Sequence, residues 1–187
     1  MSYKLIDTIH EKRLNNRIVM LHDAVMPESS KRVIDELLYL NSMDSRAPIH
    51  FMINSPGGSI SEGFAIWDVI KSFKNPVNTI VYGLAASMGS VLSLVGGKGR
   101  RFCFPHARIM IHQPRIGGTS QGQASDIKIT AEEIIKTKKE LVKLYVEATG
   151  KSVEEVERAL DRDYWLTADE AVRFGLIDRI ITSIEDI

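Results

Sequence analysis

Short β-type runs alternate with amphipathic helical stretches through the first half of the chain, and no other feature restricts the fold as much. Arg17-Ile18-Val19-Met20-Leu21 is the first run. Pro27 and Glu28 then open a helix expected over about Glu28 to Asn41. Val33, Leu37, Leu38 and Leu40 supply its apolar face, and Lys31, Arg32, Asp35 and Glu36 its wet one. Ile49 to Ile53 is a second β-type run, closed by the turn signals of Asn54-Ser55-Pro56-Gly57-Gly58. A helix over about Ser61 to Phe73 must stop by Asn75-Pro76, because a proline pushes its predecessor out of the helical region. Val77 to Tyr82 is the next strand, and Arg101 to Phe104 and Arg108 to Ile111 add two more. Strand–helix–strand repetition of this kind predicts an α/β domain with a parallel sheet and right-handed crossovers.

The second half reads differently. Arg115 to Gln123 is glycine-rich and polar, poor core material but suited to an exposed extended arm. A long helix follows from about Ser125 to Ala148, about 36 Å at 1.5 Å per residue. Its apolar positions include Ile127, Ala131, Ile134, Ile135, Leu141, Leu144, Tyr145 and Ala148. A helix of that length either lies along a monomer's surface or projects to meet another subunit. Gly150 ends it. Ser152–Glu155 and Thr167–Glu170 are capping boxes that start two further helices, the second closed by Gly175. Ile177 to Ile181 returns as a last strand. One domain over residues 1–187 is expected, since neither an internal repeat nor a linker composition interrupts the pattern.

Composition excludes several classes. The 24 basic and 24 acidic residues cancel, so there is no basic excess to attract nucleic acid or an anionic membrane. Met1 to Arg17 is too polar for a signal peptide, and no apolar run reaches the roughly 18 residues of a membrane span. The lone Cys103 has no partner for an internal disulfide and reads as small buried filler. A cytoplasmic chain is expected.

The chemistry-bearing residues lie at strand exits. Ser87, in Gly83-Leu84-Ala85-Ala86-Ser87-Met88-Gly89-Ser90, follows a strand within a stretch of small residues, read as a helix carrying Ala85, Ala86, Gly89 and Ser90. A serine at a strand-to-helix turn is exposed as a nucleophile, with first-turn N–H groups beside it; otherwise it caps or fills a tight helix start. His112 leaves an apolar strand before Gln113-Pro114 and suits a general base, or a structural hydrogen-bonding role. Asp161 and Asp163 both fit the third member of a serine–histidine–acid set, or act as solvated caps. Two acids in a local turn do not make a glycosidase pair. The glycine amides of Asn54 to Ser59 can face a developing oxyanion, but the loop lacks the spacing and the Lys-Ser/Thr pair of a phosphate loop. No histidine–acid cluster has metal-ligand spacing, so neither a metal nor a bound cofactor is expected. The order serine, histidine, acid is no objection, because such triads are defined by geometry.

Taken together, Ile53-Asn54-Ser55-Pro56-Gly57-Gly58, Gly83 to Ser90, Lys98-Gly99-Arg100-Arg101-Phe102, Ile109 to Pro114, Gln121 to Ile127 and Asp161-Arg162-Asp163 resemble the ClpP family, the proteolytic subunits of Clp proteases. The resemblance spans roughly Arg17 to Ile181. It implies a serine endopeptidase with Ser87 as nucleophile, His112 as base and Asp163, rather than Asp161, as acid. It implies an oxyanion hole of the Gly58 and Met88 backbone amides, and ring–ring contacts at Asp161 and Arg162. The implied fold is a crotonase-like spiral head with a protruding strand–helix handle over about 113–148. The implied assembly is two stacked heptameric rings, fed with unfolded chains by an AAA+ unfoldase that itself uses the ATP.

The chain departs from the family pattern at three places. Only sixteen residues precede Arg17, a short N-terminal segment over 1–16. The arm between Pro114 and Gln121 is about two residues longer than usual, an insertion that keeps strand side-chain parity. His50 and Met52 stand where aromatic residues commonly line the groove that receives the unfoldase. These departures support an alternative, a mainly structural or regulatory subunit of a mixed ring with a ClpP paralogue. An acyl-CoA enzyme of the crotonase type would share the fold but would not need Ser87, His112 and Asp163 together.

Overall fold

The computed structural model describes residues 3–115 and 122–187, with side chains described from Leu5 onward. In chain order the first half holds α1 (Tyr3–Asn15), β1 (Ile18–Leu21), α2 (Pro27–Met43), β2 (Ile49–Ser55), α3 (Ile60–Ser72), β3 (Val77–Ala86) and α4 (Met88–Ser93). The second half holds β4 (Arg101–Cys103), β5 (Arg108–Ile111), α5 (Ala124–Thr149), α6 (Val153–Leu160), β6 (Tyr164–Thr167), α7 (Ala168–Phe174), β7 (Arg179–Ile180) and a short 3-10 turn at Ile184–Asp186.

The sheet runs β1-β2-β3-β4-β7, all parallel, as the strand–helix alternation predicts. The expectation of a wholly parallel sheet is corrected at one edge, where β6 pairs antiparallel to β5. β6 gave little sequence signal because only Leu166 of its four residues is buried. Phe51, Ile53, Val81 and Cys103 face the helices in the main core. Met52, Ile80, Phe102 and Ile181 form a smaller cluster on the opposite sheet face, partly covered by Ile184 and Ile187.

Strand β3 organises the molecule. Its first half pairs with β4 through Thr79, Ile80 and Val81, and its second half with β5 through Leu84, Ala85 and Ala86. The change of neighbour falls at Gly83, whose φ of +89° suits glycine. An added Cβ there would stand 2.8 Å from the Asn54 side-chain oxygen, so the site excludes larger residues. Ala85 and Ala86 therefore belong to a strand and not to the helix their propensity suggests. The ladder to β5 and their near-complete burial override the local preference.

Other boundaries hold closely. Both predicted capping boxes form, at Ser152/Glu155 and Thr167/Glu170, and Gly150 and Gly175 end their helices at φ +72° and +94°. Leu38 stays exposed on α2 rather than joining its apolar face. The last strand is shorter than expected, with Ile177 and Ile181 buried just outside β7. The 1–16 segment carries α1, which sequence reading left without structure. It is held through Arg13 Nη2, 2.6 Å from the buried Glu36 carboxylate. Most of the expected arm, residues 116–121, lies outside the described residues. Helix α5, with 26 residues, spans about 39 Å. Leu141, Val142 and Tyr145 near its C-terminal end are buried, while Ile127, Ile129 and Ile135 are exposed.

One ion pair locks the C-terminal end of α5 to the sheet. Arg101, 3% exposed, donates to both carboxylate oxygens of Asp178 and to the carbonyls of Ala148 and Gly175. Asp178 also accepts from the Gly99 and Arg101 N–H groups. Burial works against its charge, but these hydrogen bonds and the guanidinium outweigh it, and its pKa lies below the ordinary aspartate value. Asp178→Ala leaves a buried cation unpaired and should cost about 3–5 kcal/mol at neutral pH. A lowered carboxylate pKa contributes stability above the unfolded value of about 3.9, lost as pH falls through the folded one. The gap between variant and wild type in urea unfolding should therefore narrow in acid. A gap that stays constant below pH of about 3 would contradict this account.

Candidate active site

The strand register assembles the site. Ala86, the last residue of β3, lies opposite Met110 of β5, and Ile111 lies opposite Tyr164 of β6. Ser87 follows Ala86 and His112 follows Ile111, while Asp163 immediately precedes Tyr164 at the start of the antiparallel β6, so two strand exits and one strand entry deliver the three side chains to one place. His112 Nε2 lies 2.7 Å from Ser87 Oγ, and His112 Nδ1 lies 3.1 Å from Asp163 Oδ1. The His112 side chain is 12% exposed and that of Asp163 40%. A neutral imidazole that donates from Nδ1 to the carboxylate presents its Nε2 lone pair to the serine hydroxyl. This is the orientation in which histidine can take a proton from Ser87.

Ser87 caps α4 with φ +53° and ψ −122°. It is one of two non-glycine residues at positive φ among the described residues, the other being Arg17. Such a backbone costs on the order of 1–3 kcal/mol and persists only where its surroundings fix it. Here the Ser87 N–H donates to the Met110 carbonyl at 2.9 Å. The sharp turn leaves the hydroxyl outside the helix and makes Met88 the first helical residue, whose N–H has no acceptor within α4.

Gly57 and Gly58 pack against this turn for a steric reason. A Cβ on Gly57 would stand 2.7 Å from the Ser87 Cβ and 2.8 Å from the Met88 nitrogen. A Cβ on Gly58, at φ +148°, would stand 2.4 Å from the Val25 carbonyl oxygen. Val25 forms an isolated parallel bridge to Gly58, donates to Gly57 O and accepts from Ser59 N–H. The loop therefore holds its glycines beside Ser87. A cavity of about 510 Å³ opens there, bounded by Gly58, Ser87, Met88 and His112 and by the apolar Val91 and Leu141. Its size lies within the roughly 300–1,000 Å³ of ligand-binding pockets.

The other predicted positions are also located. Asp161 does not contact His112; its carbonyl accepts from the Gln113 side chain at 2.9 Å. Asp161 and Arg162 are exposed and pair with each other at 3.7 Å. His50 is half-buried, and burial, with the Arg17 charge added, pulls its pKa below the ordinary value. Cys103 is buried, and desolvation pushes its thiol up to about 11. Among the described residues no His/Cys/Asp/Glu group is arranged to hold a metal ion, and no helix is long and apolar enough to cross a membrane.

Sequence reading missed Arg115, which donates to the same Asp163 oxygen that His112 contacts and lines the cavity. In the sequence it marks only the start of the polar arm. The partnership joins residues 48 apart in sequence, and no local pattern encodes it.

Comparison with known proteins agrees with the geometry. The sequence pattern of the Clp protease family matches residues 2–184. The chain is 54% identical over 187 residues, all of this chain and 97% of the relative, to ATP-dependent Clp protease proteolytic subunit 1 of Chlamydia muridarum (strain MoPn / Nigg). It is 51% identical over 184 residues, 98% of this chain and 89% of the relative, to the protein of the same name in Protochlamydia amoebophila (strain UWE25). Proteolytic subunit 2 of Prochlorococcus marinus (strain NATL2A) is 51% identical over 166 residues, 89% of this chain and 82% of the relative. With a family match over almost its whole length, and a serine, a histidine and an aspartate in hydrogen-bonded sequence, this chain belongs to the Clp protease family of serine peptidases.

Proposed function

We propose that the chain is the proteolytic subunit of an ATP-dependent Clp protease and cleaves peptide bonds of unfolded proteins with Ser87, His112 and Asp163. The 2.7 Å contact between Ser87 Oγ and His112 Nε2, completed by Asp163, carries this reading. Ser87 attacks the scissile carbonyl while His112 takes its proton. The Gly58 and Met88 amides receive the oxygen as it becomes negative. His112 returns the proton to the leaving amine, which departs and leaves an acyl-Ser87. Water then attacks that ester, again with His112 as base, and releases the carboxylic acid. Asp163 keeps the imidazole in the productive tautomer and stabilises its charged form, and Arg115 donates to the same Asp163 oxygen.

A fluorophosphonate, which phosphonylates only an activated serine, tests the assignment. Mass spectrometry should find the adduct on Ser87. A folded, assembled protein left unlabelled would remove the serine-peptidase reading.

The finer architecture belongs to the same proposal. Residues 1–187 form a single domain, a crotonase-like head with a short N-terminal segment over 1–16 and a handle over about 113–148 that joins two heptameric rings. The exposed Ile127, Ile129 and Ile135 of α5 are apolar surface that a second ring would cover. An AAA+ unfoldase supplies unfolded chains and uses the ATP, in the cytoplasm. Native mass spectrometry should report about 294 kDa, fourteen chains of 21.0 kDa. Arg162→Ala should shift the population toward single rings and lower activity in step. Full activity in separated rings would contradict the coupling, and a stable active monomer would exclude the enclosed chamber.

A further inference from the structure

The nucleophile turn is held by side chains as well as by its own backbone. The Ser87 carbonyl oxygen accepts from the Ser90 N–H at 2.9 Å, the Val91 N–H at 3.2 Å and the Ser90 hydroxyl at 2.6 Å. Ser90 Oγ in turn lies 2.6 Å from the hydroxyl of Tyr145 on α5. Elimination fixes the proton directions. A carbonyl has no proton to give, so the Ser90 hydroxyl donates to Ser87. Only lone pairs then remain on Ser90 Oγ for Tyr145, and the Tyr145 hydroxyl donates to Ser90. Burial pushes the Tyr145 phenol far above its usual range, only partly offset by its bond to Ser90, so the donor keeps its proton. Ser90 is 0% exposed and Tyr145 1%, and solvent does not reach the pair.

The consequence follows from the planarity of the peptide bond. The Ser87 carbonyl and the Met88 N–H belong to one rigid unit and point in opposite directions. A clamp on that carbonyl therefore sets where the Met88 N–H points. We propose that Ser90 and Tyr145 are positioning residues for the reaction: their hydroxyls form a buried relay that aims the Met88 amide at the oxyanion and ties this aim to the seating of α5. The inference rests on the serine-peptidase reading above. It concerns the part of α5 that is packed in the core, where Leu141, Val142 and Tyr145 are buried. A displacement of that segment withdraws the Tyr145 hydroxyl from the relay and loosens the turn.

The alternative is that Tyr145 fills core space and its hydroxyl is merely satisfied there. Rates of Ser87 phosphonylation and of peptide cleavage separate the two. Ser90→Ala should lower both the labelling rate and kcat about tenfold, with KM little changed, because one hydrogen bond that orients a transition-state donor is lost. Tyr145→Phe keeps the ring and should act in the same sense but less, about threefold, since it removes only the polarising bond. In the Ser90→Ala background Tyr145→Phe should lower the labelling rate no further, because Tyr145 acts through Ser90. Ser90→Thr, which keeps the hydroxyl, should stay near the wild-type rate. Wild-type labelling and kcat in Ser90→Ala, with only its melting temperature lowered, would overturn the relay. So would a Tyr145→Phe effect on rate of equal size in both backgrounds. A wild-type protein that does not label would overturn the peptidase reading itself, and the relay with it.

Discussion

Ser87→Ala should reduce kcat for peptide cleavage on the order of 10⁶-fold and leave the fold and assembly intact. The size follows from the way the three groups act as a unit: without the hydroxyl, neither His112 nor Asp163 has a reaction to serve. The residual rate reflects binding and the oxyanion donors alone. The fold survives because alanine keeps the Cβ that Gly57 packs against and because the strained φ of +53° is already tolerated at this position. The Ser87 N–H to Met110 and the contacts to its carbonyl involve backbone atoms that alanine retains. Steady-state cleavage of a fluorogenic peptide, with native mass spectrometry of the same sample, checks both halves. Appreciable turnover by an assembled Ser87→Ala protein would mean that a different nucleophile does the chemistry.

Gly58→Ala should show the next largest loss, about 10²–10³-fold in kcat. The added Cβ would lie 2.4 Å from the Val25 carbonyl oxygen, a backbone atom that cannot swing aside. The loop must move, and the bonds joining Val25 to Gly57 and Ser59 move with it. Under the proposed mechanism a displaced Gly58 amide no longer meets the developing oxyanion, although the substrate still binds. Affinity for a peptide aldehyde, which forms a tetrahedral adduct, should fall in parallel with kcat, while KM changes little. Equal weakening of substrate and aldehyde binding would instead indicate a collapsed cavity.

Local signals and distant contacts divide what the sequence revealed. Strands β1 to β5, helices α2, α3 and α5, and both capping boxes were legible because each rests on residues within one turn or one strand of each other. Ser87 and His112 were legible because strand exits expose side chains. Helix α1 was not, since Leu5, Ile6 and Ile9 are exposed and its polar hold on the head comes from His10 and Arg13 reaching Glu36, 26 and 23 residues away. Ala85 and Ala86 misled because their strand state depends on β5. Local chemistry left Asp161 and Asp163 open and only the family resemblance chose Asp163, because the geometry beside His112 depends on the β5–β6 register. Ser90 and Tyr145, 55 residues apart, carried only the signals of a small residue and an apolar helix position.

The antiparallel pairing of β6 with β5 also bears on the order of events during translation. Ser87 and His112 emerge from the ribosome first, while Asp163 follows His112 by 51 residues and Arg101 waits 77 residues for Asp178. A nascent chain can thus form its first three parallel strands with the acid of the site still unmade. Only when α5 and α6 have been synthesised and β6 has docked on β5 do all three side chains meet. The growing polypeptide therefore holds Ser87 and His112 apart from Asp163 by chain order alone until the last third of the head has been made.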